Sequence, residues 1–542
     1  MRQPVEFDQM TMDNLTAKAS EGLTSEHAPR RTASMFRYSF IVFSLLCFFS
    51  PAISADAPLV DRPAIATFGT HFVALHGSDD GPGTADQPWA TINHAAELAV
   101  AGDTVIVRGG HYMLSAQVRP RNSGRSDAWI TFIGSPGEEA ALDAEKIRLP
   151  PFIKGALNNG AFQIEDVSYV RVANLMVINS HDAGITVRDS SDIELINNTT
   201  KGTYSSGIAV WDTNHDDKGT ERIKIIVNTV ARATTWHLAP PDVPLQGEPP
   251  HEALSIGGAV DFEVAYNHIY DSDKEGIDIK ETSKLGRVHH NLIHNVERQG
   301  IYVDAWFGEI RDIAIFSNVV HHCRGAGIAA SVEGGKSVER INLHNNLIFD
   351  NDGGGLYFSR WSADNVRRNI RVSNNVFFHN GYGSPSAGQT YHWQTGGIYL
   401  YSANLEDLSI TNNILSQNRG FQIGYSELFL KNGQSWQTVA RRKNILIDHN
   451  LLFSRDKIAF PIESGGAPFD RVKIYAVNGF QPVFGDPLFK EPANQDFALR
   501  RNSPAIKARL LAGPIPSKGF SQIWWKADFP PKLIQDALFE IN

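Results

Sequence analysis

The segments Lys274-Glu-Gly-Ile-Asp-Ile-Lys-Glu281 and Arg298-Gln-Gly-Ile-Tyr-Val-Asp-Ala-Trp306 are the least generic stretches of this 542-residue chain. In each, Gly-Ile leads into polar side chains at alternate positions. Extended backbone would therefore carry Asp278, Lys280, Tyr302 and Asp304 on one face. Glu252 and Glu275 precede the strands, Gln299 follows in the same position, and Arg298, Trp306, Glu333, Arg360 and Trp361 flank them. Aromatic rings beside acids and cations suit sugars, whose apolar faces stack while their hydroxyls and acids are bonded at the edge. Trp211, His251, Glu252, Glu275, Arg298, Trp306, Arg360 and Trp361 are accordingly the candidate substrate-binding residues. Paired carboxylates, Asp278 with Asp304 or Glu252 with Glu275, suit inverting glycoside hydrolysis. The competing reading is a solvated ion-pair ladder along a stacked sheet, which costs little.

These residues become neighbours only if the chain coils. Asn-x-Ile/Val/Leu strands begin at Asn267, Asn291, Asn318, Asn346 and Asn375, at intervals of 24, 27, 28 and 29 residues, and continue at Asn413 and Asn450. Gly184, Gly207, Gly276, Gly300, Gly327, Gly355 and Gly397 run in phase, each opening a second strand. Such a period signals a solenoid. The segments between markers are short, alternating and rich in Val and Ile, which excludes helical repeats. Three short strands per coil, each bonded to its equivalent about 4.8 Å away, give an all-β right-handed parallel β-helix. Asn at the bends suits left-handed geometry, and Gly relieves a turn that a Cβ would crowd. Residues two and four after each Gly point outward: Thr186/Arg188, Ala209/Trp211, Asp278/Lys280, Tyr302/Asp304, Ala329/Ser331, Tyr357/Ser359 and Tyr399/Tyr401. The stretch 88–103, Ala-rich with apolar residues at helical spacing, reads as an N-terminal helix capping the first coil.

A hydrophobic content of 42% with 20% charged residues describes a chain able to bury a large core. The net charge of −9 argues against a nucleic-acid binder. Residues 1–55 read as leader and signal peptide, with the apolar run 40–49 too short to span a bilayer, so the mature chain is expected to be secreted or periplasmic, monomeric and not membrane-inserted. Residues 56–510 form the β-helix domain and 511–542 a tail packing on or capping the last coils. Cys323 is the one cysteine beyond the leader, so no disulfide framework exists. His289, His290, His294, His321, His322, His344 and His379 sit beside the Asn markers, where stacking at turns accounts for them. Insertions at 235–250 and 381–394 offer walls to a groove.

The stretch 72–84, then Pro88-Trp-Ala-Thr-Ile92 and 101–112, resembles the opening of secreted parallel β-helix proteins of the pectate-lyase-like superfamily, including family 9 polysaccharide lyases. Asp486-Pro-Leu-Phe489, Asp496-Phe-Ala-Leu499 and Ser503-Pro-Ala-Ile506 resemble the closing segment of the same group. The resemblance implies a polysaccharide lyase that cleaves an acidic, uronate-containing glycan by β-elimination, with Lys280 as base, Tyr302 as acid, and Asp278 and Asp304 as ligands of a Ca2+ ion. Carboxylates beside Lys280 favour its protonated form, which a base must lose. Inverting hydrolysis and noncatalytic glycan binding stay open as alternatives.

Overall fold

The computed structural model describes residues 69–147, 159–216, 218–240, 249–359, 365–383, 395–402, 404–425, 434, 436–455 and 482–510. The leader, the tail, Arg360, Trp361, half of the 235–250 insertion and most of the 381–394 insertion lie outside the described residues. The chain winds as a right-handed parallel β-helix with three sheets of 13, 13 and 10 strands. Pairing follows the Gly period: Ile277 is opposite Ile301, and Ile301 opposite Ile328. The inward residues of this third sheet, such as Ile256, Ile279, Val303 and Ala330, join one continuous core with inward Val and Ile from the other two.

The Asn markers form a buried ladder. Asn267 Nδ2 donates to Asn291 Oδ1 at 3.0 Å, Asn291 to Asn318 at 2.9 Å, and Asn318 to Asn346 at 3.0 Å. The left-handed residue is the one before each marker, at Tyr266, His290, Ser317 and Asn345, which corrects the placement expected for Asn itself. That preceding residue turns the corner, and the amide then points inward to bond its neighbours above and below. The Gly markers act as expected through close approach: a Cβ on Gly300 would lie 2.2 Å from Val320 Cγ1 and 2.8 Å from Gly327 O.

A helix, Ile92–Leu98, lies in the chain between the strands Thr70–Val73 and Thr104–Val107, which pair with each other. It is shorter than the apolar spacing suggests because the backbone leaves helical geometry at Ala99. Ile92, Ala95 and Ala96 are buried in the core. At the other end, Phe489, Phe497, Ala505 and Leu510 pack against Val319, Leu347, Phe349, Val376, Ile414 and Leu451 on the outer face of the second sheet. The closing segment thus lies along the flank of the coils. No helix among the described residues is long and apolar enough to cross a membrane.

Candidate active site

Four adjacent strands of the third sheet build the site: Ile208–Trp211, Leu254–Gly257, Ile277–Lys280 and Ile301–Ala305. Their register places Ser255, Asp278 and Tyr302 in one outer row, and Gly257, Lys280 and Asp304 in the next. The outer positions are nevertheless buried, contrary to the expected solvent-facing map: Asp278 is 1% exposed, Asp304 4% and Tyr302 6%. Part of the reason is visible further along the sheet, where Tyr302, Tyr357, Tyr399 and Tyr401 pack on one another with Ala326, Ala329 and Phe421.

Lys280 sits within a ring of acids. Its Nζ lies 3.1 Å from Glu252 Oε1 and 3.3 Å from Asp278 Oδ2. Glu252 also accepts from Ser255 Oγ at 2.9 Å and pairs with Lys274 at 3.7 Å. Arg298 reaches Glu275 at 3.5 Å, and Tyr302 Oη donates to Glu333 Oε1 at 2.5 Å. The solvent-facing members are the cations: the side chains of Lys274, Lys280 and Arg298 are 12%, 13% and 20% exposed, against 7% for Glu252 and 6% for Glu275. Glu275 Oε2, Asp278 Oδ1, Glu281 Oε2, Gln299 Oε1 and Asp304 Oδ1 are buried without a hydrogen-bond partner. Unpaired buried oxygens are costly and are the feature most in need of a ligand or solvent to explain it.

Burial works against the charge of Lys280, but Glu252, Asp278, Asp304 and Glu281 outweigh it and hold its proton far more tightly than usual. Burial lifts Asp278 well above the ordinary carboxylate range despite the nearby ammonium. Asp304 is raised in the same way by burial and then by Glu333. Glu252, though buried, is held below its ordinary value by Lys280 and Lys274. Burial takes Glu281 up to about 7.

Several expectations change. Lys280, expected as a base, donates to Glu252 and pairs with Asp278, surroundings that favour its protonated form over the free amine a base needs. Asp278 and Asp304 do not fit a shared Ca2+ site, because they are diagonal neighbours in the register and the Lys280 ammonium already occupies one oxygen of Asp278. Among the described residues no group of three acid, His or Cys side chains is arranged to hold a metal ion. Trp211 is 1% exposed and cannot stack on a sugar. Its ring lies over Gly257, where a Cβ would meet it at 2.2 Å, and its neighbour is the His251 ring at 4.6 Å. Trp306 is 38% exposed. Glu281, in direct sequence with Lys280, joins the cluster, whereas His215 and Phe307 beside it carry no periodic signal.

The ion-pair ladder exists, but elsewhere. Arg222 with Asp192 at 2.8 Å, Arg340 with Asp312 at 2.6 Å and Arg368 with Glu339 at 2.8 Å run along the outer face of the first sheet, their guanidinium side chains 44%, 40% and 50% exposed. The strip around Lys280 is far drier.

A family model described as "Pel9A-like, right handed beta helix region" matches residues 71–232, and one described as "Right handed beta helix region" matches 159–340. Over 140 residues the chain is 31% identical to pectate lyase PEL9 of Emericella nidulans, a match spanning 25% of this chain and 34% of that one. The chain is a pectate-lyase-like right-handed β-helix. This β-helix is also 24% identical over 476 residues to the uncharacterized protein YwoF of Bacillus subtilis, covering 80% of this chain and 91% of that protein. Among solved structures, XylC in complex with xylose matches with a TM-score of 0.49 at 14% identity, covering 78% of this chain and 87% of that one. The Pel9A-like match covers residues 71–232, and the general β-helix match extends across the strip of this pectate-lyase-like β-helix to residue 340.

Proposed function

We propose that this chain is an exported enzyme that cleaves an acidic glycan by hydrolysis, with Asp304 as general acid and Asp278 as general base. The observation that carries the reading is the pair of contacts from Lys280 Nζ to Glu252 and Asp278 at 3.1 and 3.3 Å. They favour the cationic form of Lys280, which leaves proton transfer to the carboxyls. Positions one strand over and two residues along stand roughly 8 Å apart at the backbone, a spacing compatible with the carboxyl separation of about 6.5–9.5 Å that inverting hydrolysis uses to admit a water. The roles divide by environment: burial raises both acids, but Asp278 alone has an ammonium within ion-pair distance, at 3.3 Å, drawing it back toward its ionised form. Asp304 has no cation within ion-pair distance among the described residues and has Glu333 nearby, which favours its proton. Lys274, Lys280 and Arg298, the solvent-facing members, supply the attraction for a uronate carboxylate.

Elimination is the second reading, favoured by the relative named a pectate lyase. Hydrolysis releases reducing ends alone, whereas elimination also leaves an unsaturated sugar that absorbs in the ultraviolet. Incubation with pectate, alginate and glycosaminoglycans, with and without chelator, separates the two. Hydrolysis predicts reducing ends without that absorbance, lost in Asp304→Asn; a chelator-sensitive unsaturated product would replace this reading with elimination.

A further inference from the structure

Trp306 and Phe307 are the one consecutive pair among the exposed large hydrophobic residues described, at 38% and 54% exposure. They occupy the turn that directly follows the strand bearing Asp304. Their ring centroids are 6.5 Å apart at 85°. A third ring comes from far along the sheet: His215 stacks on Phe307 at 4.1 Å and 27°. His215 belongs to the turn after Ile208–Trp211, three strand spacings away, or about 14 Å at 4.8 Å per strand. That turn is tied down by Asp212, whose carboxylate accepts from the amides of Asn214 at 3.1 Å and Asp216 at 3.0 Å, and by Asp189, which accepts from Thr213 at 2.8 Å. Low turns between the two ends allow the crossing. A Cβ on Gly258 would meet Asp212 Cβ at 2.8 Å, and one on Gly308 would meet Thr282 Cγ2 at 2.7 Å.

We propose that Trp306, Phe307 and His215 form a stacking subsite for a pyranose ring, beside the acidic strip and continuous with it. Exposing two large aromatic faces forgoes about 25 cal/mol for every Å2 left unburied. The apolar face of a sugar recovers that contact while leaving its hydroxyl edge in water. Stacking reads the ring and not its charge, so uronates and neutral hexoses both meet the requirement. The subsite deepens the glycan-cleaving reading and rests on it for its place beside Asp304, but binding can be measured without cleavage.

The test is titration of the full chain with an oligogalacturonate and, separately, a cello-oligosaccharide of matched length, followed by calorimetry. At least one binds saturably to the parent protein. Phe307→Ala and His215→Ala each weaken that binding roughly tenfold, the equivalent of one aromatic contact. Phe307→Trp retains it, and Phe484→Ala, which removes a comparably exposed ring elsewhere, leaves it unchanged. The subsite is overturned if neither oligosaccharide binds the parent, or if Phe307→Ala binds as the parent does. Phe307-dependent binding without cleavage would keep the subsite and remove the hydrolase reading; cleavage with binding indifferent to Phe307 would do the reverse.

Discussion

Lys280 donates to Glu252 and pairs with Asp278, contacts that favour an ammonium over the free amine that could accept a proton from carbon. Its role is then to balance charge. Lys280→Met would leave buried acids uncompensated and lower unfolding stability by about 3–5 kcal/mol, measured by chemical denaturation. A lysine serving only as a base would lose activity with little change in stability. Asp304→Asn, in contrast, should keep the fold and reduce turnover by about 10²–10⁴ through loss of the general acid, measured as reducing ends released. Glu281 gives a pH test. A carboxyl that binds its proton more tightly folded than unfolded contributes fully below its unfolded value and loses that contribution as pH rises through the folded one. For Glu281 the window runs from 4.5 to about 7. The parent's melting temperature should fall as pH rises across that window, and Glu281→Gln should show a shallower fall. Glu252 acts in the opposite sense, its stabilisation present above its unfolded value and lost as pH drops through the folded one.

At the scale of strands and turns, the coil was legible because its markers are geometric. The Gly period appears directly as the Ile277, Ile301, Ile328 register, and that register alone brought Asp278, Lys280, Tyr302 and Asp304 together. Alternation also told inward from outward residues. It could not tell outward from exposed, because the cover over the third sheet comes from its own aromatic row and from turns of irregular length. Trp211 was misjudged for this reason, and the His215–Phe307 contact was invisible because it spans three coils through a non-repeating turn. The Asn ladder supplies the test at this scale. In Asn291→Ala the backbone amide of Asn267, which Asn291 Oδ1 accepts at 2.9 Å, loses its partner. That should cost about 1–3 kcal/mol in denaturant unfolding. A change within a few tenths of a kcal/mol would show that the ladder does not stabilise the coil.

For the whole molecule, one fold serves both an ordinary ion-pair surface and a dry acidic strip, on different sheets of the same coils. The first sheet carries its charges in exposed Arg–acid pairs; the third buries carboxyls beneath three cations. Fold alone does not choose among lyase, hydrolase and binding protein. The deciding measurement is therefore the product formed from uronate glycans by the parent and by Asp304→Asn. The account predicts new reducing ends without an ultraviolet-absorbing unsaturated sugar, and their loss in the variant. An unsaturated product, no cleavage of any glycan tested, or cleavage that survives in Asp304→Asn would contradict it.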